Sequence, residues 1–158
     1  EIRNAFINHL LDYFGPFPRE EAPEILNSLK EAFLKDEIAE VFVLLKSIFA
    51  NIDYDIQIPN EKYYQTVFYL IFSLLGMRIS AEVKTNQGRI DAVVKTKTHI
   101  YIIEFKLNDT ADAALNQIKE KKYYEKLLGD SRDIVLIGAA FSKQTRQIEE
   151  YKTENCNG

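Results

Sequence analysis

Apolar residues recur three or four positions apart through the first third of the chain, a spacing typical of amphipathic helices. The spacing predicts helices at residues 2–14, 23–34 and 37–50, with Asp36 as the N-cap of the last. We expect these three helices to pack together as a small bundle.

A short polar stretch, residues 51–59, follows the helices and indicates a boundary. We therefore divide the chain into a helical segment at 1–58 and a second domain at 59–158. A strongly apolar helix at 61–75 opens the second domain. Its apolar residues cover most of the helix circumference, so this helix must pack on several sides.

Strand patterns come next. Apolar and polar residues alternate at 77–84 and again at 90–94, on either side of a turn at 86–88. Alternation of this kind predicts two adjacent strands that are joined by the turn. Residues 99–107 form a third predicted strand.

The third strand carries charged residues on an otherwise apolar face. Side chains two apart on a strand share a face, so Glu104 and Lys106 point the same way as Ile100 and Ile102. The opposite face of this strand is apolar, which predicts a strand buried on both sides. Burial of an acid and a base is costly unless the charges are paired or bind a metal. The strand therefore predicts a compensated pair or a metal site.

A helix and another strand complete the pattern. Residues 108–110 supply caps for a helix that ends at Leu128 and is closed by Gly129. Residues 133–141 contain a continuous apolar run that is typical of a strand covered on both faces. The polar residues from 142 onward predict a terminal helix. The element order predicts an α/β fold with a parallel crossover between the last two strands.

Composition narrows the class of protein. A chain of 158 residues can form one core, or one core with a small helical cap. Its apolar runs are short and interrupted by charge, so we expect no membrane span. The single cysteine, Cys156, allows no internal disulfide, which favours a reducing compartment and a cytoplasmic location. The chain begins with Glu1 rather than Met, which suggests a piece of a longer protein.

The charge of the chain bears on whether its partner is a nucleic acid. The net charge of -4 argues weakly against nucleic acid, because phosphate binding requires Lys and Arg. Within residues 61–126, however, Lys and Arg outnumber Asp and Glu by 11 to 8. This excess is too small to establish DNA binding by itself.

Four short motifs carry a resemblance to a known family. They are Gly88-Arg89-Ile90-Asp91, Tyr101-Ile102-Ile103-Glu104-Phe105-Lys106, Ala114-Leu115-Asn116-Gln117-Ile118-Lys119 and Lys121-Lys122-Tyr123. Together they resemble the PD-(D/E)xK nuclease superfamily, in which an acid on one strand precedes acid-x-Lys on the next strand and then a helix. They look most like the nuclease-like domain at the C-terminus of bacterial AAA-ATPase-like proteins. The resemblance covers about residues 60–141, and the Pro that usually precedes the first acid is Ile90 here.

The resemblance implies a restriction-endonuclease-like αβββαβ core with a mixed sheet, and a metal-dependent nuclease that acts on nucleic acid, with DNA expected over RNA. The implied catalytic residues are Asp91, Glu104 and Lys106, supported by Glu61 and Gln117. The implied cofactor is Mg²⁺ or Mn²⁺, held by the two strand acids and the backbone carbonyl of Phe105. An ATPase domain in the same full-length protein is the implied partner, and oligomer formation stays open.

Several residues are expected to contact nucleic acid, mostly on the helix beside the site. They are Tyr64, Gln65, Arg89, Lys119, Lys121, Lys122 and Lys126. Each assignment has an alternative: the lysines as a solvated helix face, Glu61 as an acid that stabilises a helix N-terminus, and Gln117 as an exposed helix residue. For the whole chain the alternative is an inactive nuclease-like module for nucleic-acid binding or protein docking.

Other chemistries fit the sequence less well. We find no Cys/His metal cluster, no Gly-rich phosphate loop, and no Ser or Cys nucleophile with a His base.

Overall fold

A computed structural model describes residues 22–52, 55, 57–85 and 88–156. Within them lie four α-helices: α1 (Ala22–Leu34), α2 (Ile38–Ala50), α3 (Glu61–Leu74) and α4 (Ala111–Glu120). Within them also lie five strands: β1 (Arg78–Thr85), β2 (Gly88–Lys95), β3 (His99–Leu107), β4 (Asp133–Phe141) and β5 (Ile148–Asn155). The predicted helix at 2–14 lies outside the described residues, as do positions 86 and 87 of the predicted turn.

The described strands form one mixed sheet in the order β1-β2-β3-β4-β5. Neighbouring strands are antiparallel except β3 and β4, which are parallel and joined by α4. Helix α3, the first three strands, α4 and β4 thus follow the predicted αβββαβ order. The predicted restriction-endonuclease-like fold, with a helical segment before it, is confirmed.

The two faces of the sheet pack against different helices. Helices α1, α2 and α3 share a core with one face, where Phe33 meets Tyr101 edge to face at a centroid distance of 4.7 Å and Phe42 stacks on Tyr151 at 4.0 Å. Helix α4 covers the other face, where Ile118 packs among buried aliphatic residues of β2, β3 and β4. The helical segment and the sheet therefore share one continuous core, and the division at residues 58 and 59 stays a prediction.

Capping side chains fix where two of the helices begin. The Asn60 side chain accepts a hydrogen bond from the Tyr63 N–H at 2.8 Å, and the Thr110 hydroxyl accepts one from the Ala113 N–H at 3.0 Å. Both residues satisfy N–H groups that the first helical turn leaves unpaired, so α3 and α4 begin where the sequence predicts. None of the helices in the described ranges has the length and apolar character needed to cross a bilayer.

The prediction that Asp36 caps α2 is wrong. Glu37 occupies the N-cap position without a side-chain cap, and Asp36 has a φ of 60°. The Asp36 carboxylate instead accepts a hydrogen bond from the Tyr101 hydroxyl at 2.7 Å and lies 3.3 Å from Nε2 of His99. The acid thus ties the α1–α2 turn to β3, and this tertiary contact replaces the local cap.

The prediction of a helix reaching Leu128 is also wrong. Helix α4 ends at Glu120, Lys122 adopts a φ of 48°, and a separate 3-10 turn covers Glu125–Leu127. The reversal brings Tyr123 into the core, where only 3% of it is exposed. A continued helix would turn Tyr123 about 140° away from Ile118 and out of that core. Burial of one aromatic ring therefore overrides the helical propensity of the segment.

The predicted terminal helix after residue 142 is instead strand β5, which pairs antiparallel with β4. The segment is rich in Glu and Lys, which favour helices locally, but β4 offers a free edge with which its backbone can pair. Apart from Ile148, its side chains are at least partly exposed, as is typical of a charged edge strand.

Candidate active site

Asp91 and Glu104 lie side by side on neighbouring strands. The register of β2 and β3 pairs Ala92 with Ile103, and its continuation by one residue places Asp91 opposite Glu104. The ladder ends at Ala92, and beyond it Oδ2 of Asp91 accepts a hydrogen bond from the backbone N–H of Phe105 at 2.9 Å. This bond fixes the Asp91 carboxylate against β3.

Glu104 is the most unusual group in the described structure, because only 3% of it is exposed. Its Oε1 accepts a hydrogen bond from Nε2 of Gln117, while Oε2 has no hydrogen-bond partner among the described residues. Burial first, and then the negative charge of Asp91, raise the pKa of Glu104 to about 8, against the opposing effect of Lys106. The fold therefore holds two acids together without enough positive charge to offset them.

Gln117 connects the acid to the base. Nζ of Lys106 donates to Oε1 of Gln117 at 2.5 Å, and the amide nitrogen of the same side chain donates to Glu104. No direct ion pair between Glu104 and Lys106 occurs among the described residues. Gln117 is therefore not an exposed helix residue, and its amide aligns the two charged groups of β3.

Close packing of α4 on the sheet brings Gln117 within reach. Gly138 of β4 lies beside Glu104 in the parallel register, and a Cβ on Gly138 would come within 2.3 Å of the Ala111 carbonyl oxygen. Glu150 of β5 accepts a hydrogen bond from the Ala111 N–H at 3.0 Å, which holds the start of the helix. Gly138 and β5 together set the position of α4 and hence of its Gln117.

Helix α3 braces the site from the other side of the sheet. Oε1 of Glu61 accepts a hydrogen bond from the Leu107 N–H at 3.1 Å, so this acid reaches the end of β3 from the first turn of α3. Nε2 of Gln65 donates to the backbone carbonyl of Asp91 at 2.7 Å, and Gln65 is only 7% exposed. The structure thus uses Gln65 to hold the acid strand, and the prediction of a nucleic-acid contact at Gln65 is corrected accordingly.

The predicted nucleic-acid contact at Tyr64 is corrected as well. Tyr64 is fully buried, and its ring stacks on Phe141 at a centroid distance of 4.1 Å. The apolar residues packed around α3 enclose this ring. Tyr64 is therefore a core residue.

The predicted basic surface is only partly available. Lys119 pairs with Glu154 at 2.9 Å, Lys122 lies 3.5 Å from Glu125, and Nζ of Lys126 donates to a backbone carbonyl. Three of the lysines, namely Lys121, Lys122 and Lys126, follow the end of α4 instead of lying on it. Lys121 and Arg89 are exposed. A role of these residues in phosphate contact stays a prediction, since exposed ion pairs are weak enough to exchange.

Sequence reasoning missed Tyr123. A Cβ on Gly88, whose φ is 147°, would lie 3.0 Å from the Tyr123 hydroxyl, so Gly88 leaves room for that hydroxyl at the start of the acid strand. Burial and the nearby Glu104 raise the pKa of Tyr123, while hydrogen bonds to the Gln117 side chain and the Arg89 backbone oppose the rise. The Lys121-Lys122-Tyr123 motif marks this residue in the sequence. The predicted continuous helix to Leu128 would place Tyr123 away from the site, so its role was not predicted.

The donor set fits a hard divalent ion. Carboxylate and carbonyl oxygens are the ligands that Mg²⁺ prefers, and Oε2 of Glu104 is a buried oxygen that needs a partner. Within the described ranges there is no group of three or more His, Cys, Asp or Glu side chains that could hold a metal. The predicted metal ligands include only two such side chains, Asp91 and Glu104, together with the backbone carbonyl of Phe105. This ligand set stays a prediction.

Comparisons with known proteins agree with this geometry. A sequence model of the PD-(D/E)XK nuclease superfamily matches residues 59–151. The chain is also 33% identical, over 162 aligned residues, to an uncharacterized protein in the vnfD 5' region of Azotobacter chroococcum mcd 1. The alignment covers 98% of this chain and 31% of that relative, so the chain spans about a third of the relative's length. Because the superfamily match spans more than half of the sequence and includes the acids, the lysine and the glutamine of the site, the chain belongs to the PD-(D/E)XK nuclease superfamily.

Proposed function

We propose that this chain is a metal-dependent nuclease that hydrolyses phosphodiester bonds in nucleic acid, with DNA as the expected substrate. The observation that carries the proposal is the buried pair Asp91 and Glu104, beside Lys106, with one Glu104 oxygen lacking a hydrogen-bond partner among the described residues. A purely structural acid pair of this kind would destabilise the fold and serve no function.

Phosphodiester hydrolysis needs a positioned water and compensation for charge that develops on phosphate. A divalent ion such as Mg²⁺ or Mn²⁺, bound by Asp91, Glu104 and the Phe105 carbonyl, would supply charge neutralisation and activate water. The side chains have the remaining tasks. Gln117 holds the Lys106 ammonium, which can orient the attacking water and stabilise negative charge on the phosphate. Glu61 fixes the end of β3 on which Lys106 stands.

We also propose that an ATPase domain accompanies this chain in the full-length protein, and that the protein works in the cytoplasm. The support for the ATPase domain is the resemblance of the motifs to the nuclease-like domains of AAA-ATPase-like proteins, together with the greater length of the A. chroococcum relative. The support for the cytoplasm is the single cysteine, which allows no internal disulfide.

A non-enzymatic module for nucleic-acid binding or docking is the second candidate. The observation that favours docking is that Lys119 is paired with Glu154 and Lys122 with Glu125, in a chain whose net charge is -4. A catalytic domain with few available cations binds its substrate weakly unless another domain helps.

The test is cleavage of mixed DNA and RNA substrates in Mg²⁺, with Ca²⁺ as the control that permits binding only. We expect products in Mg²⁺ and a loss of about 10²-fold or more in Lys106→Met, because that variant removes a charge acting on the transition state. Lys143→Met, which changes an exposed lysine elsewhere, should cleave normally. Binding without cleavage under every condition would favour the second candidate, and equal cleavage by Lys106→Met would reject the assigned role.

A further inference from the structure

A concave surface lies at the end of the sheet away from the acids. It is an open cavity of about 680 Å³ between the end of α1, the start of β1, the turn from β2 to β3 and the segment before β4. Its volume is within the range of small-molecule sites. Lys95, on its wall, follows Asp91 by four residues along β2, which corresponds to about 13 Å. A small ligand in this cavity would therefore not touch the acid pair.

Positive charge dominates the described lining. The cations are Lys30, Arg78, Lys95, Lys97 and Arg132, and the only carboxylate among the described lining residues is that of Asp130. In a chain with a net charge of -4, this is a strong local reversal of sign. Such a concentration of like charge attracts anions and is relieved by binding them.

Asp130 is already neutralised by Arg132. Nε and Nη2 of Arg132 donate to the two carboxylate oxygens at 2.8 and 2.6 Å, and Nη1 donates to the Thr96 carbonyl at 3.1 Å. This fork is bidentate and geometrically specific. It fastens the segment before β4 to the β2–β3 turn and so shapes the cavity wall, while the charge of Lys95 also acts on Asp130.

The remaining four cations are available to a ligand. Among the described residues, no ion pair involves Lys30, Arg78, Lys95 or Lys97. They come from α1, the start of β1, the end of β2 and the following turn, so residues distant in sequence converge on one space. Four cations that converge on one space match the negative charge of several phosphate groups better than that of a single carboxylate.

An apolar surface adjoins the cations. Leu34 is 49% exposed at the end of α1, and Met77 is a second apolar residue of the lining. Inorganic phosphate would leave this surface unused, whereas a planar base attached to phosphate would cover it. We propose that the cavity binds a nucleoside phosphate, with the phosphates on Arg78, Lys95 and Lys97 and the base against Leu34 and Met77.

The ligand can be a free nucleotide or the phosphorylated end of a nucleic-acid strand, because both present the same chemistry. The site does not depend on the proposed nuclease activity, since none of its cations belongs to the acid cluster. Loss of nucleotide binding with intact cleavage, or the reverse, would separate the two proposals.

The test is calorimetric titration of the intact chain with ATP, pyrophosphate and adenosine in EDTA, so that divalent ions play no part. The double variant Arg78→Glu/Lys97→Glu should weaken ATP binding by at least about tenfold, as expected for the loss of charge-assisted hydrogen bonds. The matched control Lys46→Glu/Lys143→Glu makes the same charge change at exposed lysines elsewhere and should bind ATP like the parent. Thermal melts of both doubles establish that they fold.

Two further arms define the ligand. Leu34→Asn should weaken ATP binding and leave pyrophosphate binding unchanged, because only ATP carries a base. A short 5′-phosphorylated single-stranded DNA that competes with ATP would identify the strand end as a ligand, and absence of competition would identify the free nucleotide. The proposal is overturned if the parent binds neither ATP nor pyrophosphate, if both doubles lose ATP binding equally, or if Leu34→Asn weakens ATP and pyrophosphate binding alike.

Discussion

Replacement of Glu104 by Gln tests the buried acid through protein stability. The substitution keeps the size of the side chain and the oxygen that accepts from Gln117, but it removes the ionisable proton. In the absence of a metal we therefore expect Glu104→Gln to make the protein more stable at high pH. A structural acid would give the opposite result, because its loss would remove a favourable interaction.

The magnitude follows from the raised pKa. The pKa of Glu104 is about 8 in the fold against an ordinary value of 4.5, and one pKa unit corresponds to about 1.4 kcal/mol. Because the folded state binds the proton more tightly, the stabilising contribution is complete below pH 4.5 and is lost as the pH rises through 8. Ionisation then lowers the free energy of unfolding by at most about 4 to 5 kcal/mol.

The assay is urea unfolding of the parent and Glu104→Gln in EDTA at pH 5, 7 and 9. The two proteins should differ by less than about 1 kcal/mol at pH 5, and the variant should become the more stable by several kcal/mol at pH 9. Glu120→Gln, at an exposed acid just after Lys119, is the matched control and should follow the parent. Added Mg²⁺ should stabilise the parent at pH 9 and leave Glu104→Gln unchanged.

The reasoning is refuted if Glu104→Gln is less stable than the parent at every pH, or if the two proteins have the same pH dependence. The first result would mean that Glu104 stabilises the fold as a structural acid. The second would mean that its carboxyl titrates normally.

Three other predictions concern the surroundings of the site. Gln117→Ala should reduce cleavage by about tenfold or more, because it releases both Glu104 and Lys106, and single-turnover rates at saturating substrate would measure the loss. Charge reversal of Lys121 and Lys122 should weaken nucleic-acid binding and flatten its salt dependence in a fluorescence titration; unchanged binding would remove this surface from the account. Gly138→Ala should destabilise strongly in thermal melts, because its Cβ meets the α4 backbone, whereas Gly129→Ala meets nothing within 4 Å and should melt like the parent.

The local sequence pattern was enough to predict the bounds of strands that are covered on both sides. The bounds of β3 and β4 agree with the predicted 99–107 and 133–141, because both strands are apolar runs closed by turn residues. The side of β3 that carries Glu104 was likewise predictable, since alternation fixes the face. These are properties that a chain segment has by itself.

Partners distant in the sequence decided the rest. Asp36 bonds Tyr101 from 65 positions away, which no local capping rule can anticipate. Strand β5 exists because β4 presents an edge to it, although its own residues favour a helix. Tyr123 reaches the site only because α4 ends early at Glu120. Sequence patterns give the site its residue types, and tertiary packing decides which of them meet.

The claim on which the account depends is that Asp91 and Glu104 share one divalent ion. Titration of Mn²⁺, followed by the paramagnetic resonance signal of the free ion, measures this directly. The parent should bind one ion at this site, and Asp91→Asn and Glu104→Gln should each weaken that binding by at least about tenfold. Asp109→Asn, at an exposed acid just beyond β3, should bind like the parent. No binding by the parent, or equal binding by all four proteins, would contradict the account.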